Sequence, residues 1–310
     1  MKIHMDNVNI GAPTGPNVFA ERIARRFFEM GHSVELTSGI GCDVSLVFIQ
    51  RSGATLADKV VQRVDGIWSK PQDFVAKNIP INDLYRTADA VVFQSHFDQD
   101  FVTKHWGFSK CYTVIRNGID AAPCTALTLA GLADIRGKYD KVFVASSNWH
   151  PQKRLRDNIR LFQHIRSNIV ANSCLIVLGA HPDCAVADKD VFYAGSQPHG
   201  VVSQVMAMSN WMFHLAYLDH SPNSVIEALA QGTPVVCTNE GGTRELVDRF
   251  GVVLNEPEKF DYEPTDYDDP PAIDVAQLTS LPDKATLGRH ADISIDTCAN
   301  AYIELFESIV

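Results

Sequence analysis

Residues 219–236 read DHSPNSVIEALAQGTPVV and follow the apolar run NWMFHLAYL at 210–218. The order is strand, small polar loop, helix, strand. Ser221-Pro222-Asn223 carries helix-start chemistry, because Ser and Asn cap and a first-turn proline lacks only an amide that has no intrahelical partner there. The helix covers 222–231, and PVVCTN at 234–239 begins the next strand. An acid stands at each end of this unit, Asp219 before the loop and Glu227 within the helix, eight positions apart.

The same alternation extends outward along the chain. β-branched runs occur at KIHM, HSVELTS, CDVSLVFI, VVQRVDGIW, DAVVFQS and CYTVIRN in the first half, with helical stretches at 16–30 and 96–106. The second half repeats the pattern in KVFVASS, CLIVLGA, VFYAG, NWMFHLA, PVVCTN and GVVLN, with a further helix at 243–248. Strands separated by helices build parallel sheets, so the fold class is α/β with two sheets. At 153–170, Leu155, Ile159, Phe162, Ile165 and Ile169 recur at three- and four-residue steps, which predicts a helix with one buried stripe. Cys298, Ala301, Tyr302, Leu305 and Ile309 share a face near the end of the chain, which predicts a packed final helix. The stretch 117–137 has small residues, a proline and no strong period, which places a domain junction there with a hinge starting at Asn117-Gly118. Residues 256–274 hold eight acids and four prolines and read as a solvated loop.

Composition bounds the function. A chain of 310 residues suggests two domains. A net charge of −10 gives no general basic face for nucleic acid. Seven scattered cysteines without a CxxC pair suggest neither a zinc site nor a disulfide framework, and fit a reducing cytoplasm. No apolar run reaches membrane-spanning length, and MKIHMDN is a poor signal peptide. The spacings HExxH, GxSxG, GxxxxGK and GxGxxG do not occur. Asp188-Lys189-Asp190 and Asp266-Tyr267-Asp268 have a metal-binding spacing, but neither follows a long apolar strand, and both read as surface features.

In open α/β sheets, ligands sit beyond the carboxyl ends of the strands, where loops enter helices. Free amides and the positive helix end at Asn223 and Ser224 suit a phosphate. Glu227 can accept two hydrogen bonds from vicinal ribose hydroxyls.

The acid pair, the following Ala228-Leu229-Ala230-Gln231-Gly232-Thr233-Pro234-Val235-Val236, the pair Gly241-Gly242 and Glu245 together resemble the donor-sugar segment of glycosyltransferase family 4 and its GT-B relatives. The first acid is Asp219 rather than Glu, and His220-Ser221 replaces Gly-Phe. The resemblance implies a GT-B architecture: two Rossmann-like domains with parallel sheets facing a central cleft, and a C-terminal helix packed on the body. Residues 1–120 would form the acceptor-side domain, 121–291 the nucleotide-sugar donor domain, and 292–310 the final helix, with a crossing back to the first domain left open.

It also implies roles. Glu227 would hold the ribose, Asp219 would lie near the sugar or reacting centre, and the amides around Asn223 and Ser224 would meet the diphosphate. SSNWHPQKRL resembles the family's Gly-Arg-x-x-x-x-Lys-Gly element. Lys153 falls on the lysine and would bind phosphate. Asn148 stands on the arginine position and Arg154 on the final glycine, where it would make up the missing charge. The loop with Gly11 and Gly15 would approach the ligand closely, and Asp65 is a candidate for contact with the acceptor hydroxyl or sugar. Ser95 and His96 close another strand facing the cleft. Arg22, Arg25 and Arg26 beside Phe27 and Phe28 offer a face for an anionic membrane carrying a lipid-linked acceptor.

The activity so implied is retaining transfer of a sugar from a UDP- or GDP-linked donor to a glycan or lipid-linked acceptor, with no metal and no other cofactor, in the cytoplasm or peripherally at a membrane. A nucleotide-sugar epimerase and a non-catalytic nucleotide-sugar-binding subunit remain alternatives.

Overall fold

A computed structural model describes residues 1–12, 14–120, 131–180, 185–284 and 293–310. The chain divides into two compact units, one of residues 1–120, 261–266 and 292–310, the other of residues 121–260 and 267–291. Much of the junction expected at 117–137, residues 121–130, lies outside the described residues.

The first unit is a six-stranded sheet in the order β2-β1-β3-β4-β5-β6. Its strands are β1 (Lys2–Asp6), β2 (Ser33–Glu35), β3 (Val44–Phe48), β4 (Val60–Val64), β5 (Ala90–Phe93) and β6 (Tyr112–Val114), all paired in parallel. Helices α1 (Gly15–Glu29), α2 (Pro71–Thr87) and α3 (His96–Trp106) connect them. Strands β3, β4 and β5 are buried along their whole length, as central strands covered on both faces must be.

The final helix, α9 (Ile295–Ile309), belongs to this unit. It lays Cys298, Ala299, Tyr302, Ile303 and Phe306 against Phe19, Ile23 and Phe27 of α1 and the apolar residues of β1 and β3. The buried face is rotated slightly from the one the sequence suggests: Ala301, Leu305 and Ile309 lie at its edge, while Ile303 and Phe306 go deeper. Gly118 is needed where α9 begins, since a Cβ there would stand 2.5 Å from the carbonyl oxygen of Ser294.

The second unit is a six-stranded parallel sheet in the order β12-β11-β10-β7-β8-β9. Its strands are β7 (Lys141–Ser146), β8 (Ser173–Leu178), β9 (Val191–Gly195), β10 (Trp211–His214), β11 (Val235–Thr238) and β12 (Gly251–Leu254). Helices α4 (Leu132–Lys138), α5 (Leu155–Asn168), α6 (His199–Met208), α7 (Asn223–Ala230) and α8 (Thr243–Val247) accompany them. The stripe on α5 is buried as expected, with Leu155, Ile159, Phe162 and Ile165 packed on Phe143, Leu175 and Phe213.

The acidic stretch 256–274 is a loop but not a solvated one. Phe260 and Ile273 are buried, and Tyr262, at φ 61°, packs its ring at a tilt against Phe97 and Phe101 of α3, with centroids 5.6 and 6.4 Å apart. Lys104 reaches Glu263 at 2.7 Å and His105 Nε2 meets the Tyr262 carbonyl at 2.8 Å. Apart from Glu256, which is buried, the acids lie at least partly exposed between apolar residues, and composition averages the two together. Among the described residues no helix is long and apolar enough to cross a membrane.

Candidate functional site

The strand order of the second sheet reverses between β7 and β10, its two central strands. In such a sheet the loops leaving the switch strands diverge to opposite faces and open a crevice at their carboxyl ends. The segments after β7 and β10 hold most of the residues singled out in the sequence.

After β7 the chain passes exposed Asn148 and buried Trp149 into a 3₁₀ turn, Pro151–Lys153, and then α5. This loop is tied to the one after β10. Tyr217 N donates to the Gln152 carbonyl at 2.9 Å, and Leu215 N to Asn158 Oδ1 at 3.3 Å. Asn158 in turn donates to the carbonyls of Lys153 and Arg154 at 3.1 and 2.8 Å.

Lys153 Nζ forms an ion pair with Asp219 Oδ2, and His214 Nε2 lies 3.0 Å from the same oxygen. Side-chain exposure rises outward along this chain, from 4% at His214 to 13% at Asp219 and 18% at Lys153. Burial alone would raise the Asp219 pKa, but the Lys153 charge and the His214 hydrogen bond outweigh it and hold the carboxyl below its usual range. His214, at the end of β10, is kept neutral by burial, which Asp219 only partly offsets.

Arg154 does not supply the extra phosphate charge expected of it. It is 3% exposed and spends its guanidinium on Glu256 Oε1 and Oε2 at 2.6 and 2.9 Å and on the carbonyls of Pro271 and Leu215. Its backbone is left-handed at φ 51°, the conformation that explains why a glycine suits this position.

The loop after β10 leads into α7. Ser221 does not cap it: the cap position is Pro222, whose ring carries no hydrogen-bond acceptor, and Ser221 Oγ is buried without a hydrogen-bond partner among the described residues. Helix α7 therefore begins without a side-chain cap. Asn223 and Ser224 form its first turn, and Glu227 lies one turn in, 12% exposed and 3.8 Å from His199 Nδ1. Gly241 and Gly242 hold this loop from behind. Gly242 N donates to the Asp219 carbonyl at 2.8 Å, and Gly241, at φ 104°, leaves room for it, since a Cβ there would stand 3.0 Å from both Asp219 N and O.

In the first unit, Asp65 is the counter-ion of Arg63, whose guanidinium is fully buried over Phe19 and Phe48 and donates to Asn117 at 2.7 Å. Asp65 is nearly buried, with Oδ2 lacking a hydrogen-bond partner among the described residues, so its position answers the need of a buried cation rather than of an exposed acceptor contact. Gly15 opens α1 after the loop containing Gly11, at the switch between β1 and β3. Ser95 caps α3 through Asp98 N at 3.1 Å, and His96 is exposed in its first turn. The basic face expected on α1 is partly engaged in ion pairs and partly exposed. Arg22 and Phe27 are buried, Arg25 pairs with Asp120, Arg26 pairs with Asp296 and Glu29, and of the set Phe28 stands out at 74% exposure. Asp188 and Asp190, the first of the metal-like spacings, both bind Arg166, at 2.7 and 2.9 Å.

The sequence reading missed His214 and Glu256. A histidine ending the apolar strand WMFH five positions before an acid was a signal for the first. Nothing local marks the second, whose partner lies 102 residues away.

Residues 136–260 match the family model described as Glycosyl transferases group 1. The chain is 23% identical over 225 residues to N-acetyl-alpha-D-glucosaminyl L-malate synthase of Bacillus anthracis, an alignment covering 70% of this chain and 50% of that one. The chain thus spans about half the length of the curated relative it matches. Sucrose-phosphate synthase from Thermosynechococcus elongatus superposes with a TM-score of 0.70 at 12% identity, over 99% of this chain and 98% of that one. HepE of Anabaena in complex with UDP-glucose does so with a TM-score of 0.66 at 17% identity, over 99% and 100%. The GT-B architecture read from the sequence is the fold these proteins share.

Proposed function

We propose that the protein, whose residues 136–260 match the family model described as Glycosyl transferases group 1, is a glycosyltransferase that moves a sugar from a nucleotide diphosphate donor to an acceptor hydroxyl on a glycan or lipid-linked molecule. The observation that carries this reading is the convergence of Lys153 and the uncapped start of α7 at the switch point of the second sheet. Breaking the bond between the sugar and the diphosphate concentrates negative charge on the leaving phosphate, and a fixed cation with backbone amides lowers the barrier by meeting that charge as it develops. Lys153 and the amides of Asn223 and Ser224 take this role, so the reading requires no metal ion. Glu227 holds the ribose hydroxyls. Asn148, in the same loop as Lys153, lies on the donor side. The neighbour that binds UDP-glucose favours a UDP-linked donor over a GDP-linked one. Transfer proceeds with retention at the anomeric carbon, as the family resemblance implies. Asp219 serves as the anchor of Lys153 rather than as a contact to the sugar, while Arg154 and Asp65 serve the fold.

The test is nucleotide release from UDP-sugars by the purified protein, with and without acceptor glycans, in the native form and as Lys153→Ala. The variant is expected to lose about a hundredfold or more in rate. Equal rates in the two proteins overturn the role of Lys153. Donor binding without transfer to any offered glycan favours a binding subunit, and donor conversion without acceptor favours an epimerase.

A further inference from the structure

We infer that His214 is a positioning residue of the donor site: through Asp219 it fixes the ammonium group of Lys153 where the leaving diphosphate is met. The inference rests on the reading of Lys153 given above and adds a third member to it.

The argument starts from what Lys153 lacks on its own. A lysine ammonium is a point charge on a flexible four-carbon stem, and it needs an outside constraint to stay in one place. Asp219 supplies the constraint, and among the described residues it is the acceptor for Lys153 Nζ. A carboxylate has two oxygens and rotates, so it too must be held. His214 Nε2 lies 3.0 Å from Oδ2, the very oxygen that accepts from Lys153. The Asp219 backbone is clamped separately by Gly242 N.

The histidine is set where it cannot drift. It is the last residue of β10, in register with Cys237 on β11, and is 4% exposed. Its neutral ring has one donor nitrogen, and placing that proton on Nε2 gives Asp219 a donor without adding charge beside Lys153. A second lysine or an arginine at this place would satisfy Asp219 equally well while repelling Lys153. A hydrophobic residue would satisfy the strand and leave the carboxylate with one fixed partner. The chain therefore orders its parts from rigid to reactive: sheet, imidazole, carboxylate, ammonium.

The test compares UDP affinity, by calorimetry on the full-length protein, for the native form, His214→Leu, Lys153→Met and the double variant, with circular dichroism melting to follow folding. His214→Leu removes the donor and is expected to weaken UDP binding about tenfold. In the Lys153→Met background the same change is expected to cost nothing further, because its effect passes through Lys153. His214→Gln, whose amide reaches the Nε2 position, is expected to restore affinity to near the native level, whereas His214→Asn, one carbon shorter, is not. If His214→Leu does not fold, the contrast between the Gln and Asn variants decides the matter by itself.

Equal affinities for those two variants overturn the inference. So does a loss in His214→Leu that is just as large in the Lys153→Met background, which would mark a general effect on the fold. Should Lys153→Met bind UDP as the native protein does, the phosphate reading of Lys153 fails and takes the His214 role with it. A weakened Lys153→Met beside an unaffected His214→Leu removes the His214 role alone.

Discussion

Arg154 shows how one residue can settle a loop. A non-glycine side chain in left-handed backbone carries a cost of about 1–2 kcal/mol. Here the side chain turns inward and closes a two-point ion pair with Glu256, beneath the loop that carries Pro271. Removing one member of a buried pair leaves the other charged and unpaired, so Arg154→Met is expected to destabilise the protein by about 3–5 kcal/mol in urea unfolding. The double variant Arg154→Met/Glu256→Leu is expected to recover much of that loss, since an apolar pair of similar volume replaces ions that were costly to bury. Additive losses would show that the guanidinium matters chiefly through its bonds to the carbonyls of Leu215 and Pro271. The buried thiols give a second residue-level expectation. Burial pushes Cys174 and Cys298 up to about 12, with Cys237 raised as well. At pH 8 these three are expected to stay unmodified by iodoacetamide until denaturant is added, which peptide mass spectrometry would read directly.

Among the elements, α9 is the one whose loss the first unit feels most. Tyr302 and Phe306 lie against Phe27 at 6.4 and 6.0 Å between ring centres, and both are fully buried. Phe306→Ala is expected to cost about 3–5 kcal/mol, measured by chemical denaturation. The sequence announced this helix because its apolar spacing is regular, and it announced the strands of both sheets because buried parallel strands are continuous β-branched runs. Helices α2, α4 and α6 escaped. Helix α2 contains Pro80 and exposes Val75 and Ile79 while burying Asn78, so its pattern contradicts its packing. Helix α6 reads HGVVSQVMAM, apolar almost all round after its first two residues, and offers no stripe to recognise. The site was legible where it depends on local order, as in the acid spacing and the loop–helix junction of α7. It was not legible where it depends on pairing across the chain, because no local period records that Lys153 meets Asp219 or that Arg154 meets Glu256.

For the molecule as a whole, buried neutral histidines set the response to acid. Burial lowers the pKa of His4 and His214 below the ordinary 6.5, so the unfolded chain binds protons that the folded one refuses. Stability is therefore complete above about pH 6.5 and falls as pH drops below it, with a further loss in stronger acid once Asp219 must be protonated. The melting temperature is expected to hold from pH 7.5 to about 6.5 and to fall from there to pH 5, and His214→Leu to flatten that fall; an unchanged slope would show that His214 contributes no proton uptake. The division of the first unit into residues 1–120, 261–266 and 292–310 has a consequence for biosynthesis. A ribosome delivers the amino-terminal sheet early, yet the helix that completes its core is made only after the second unit. The nascent sheet must wait with an apolar face uncovered while the entire other unit is translated, so a chain interrupted between residue 291 and α9 would be released with one finished lobe and one unsealed.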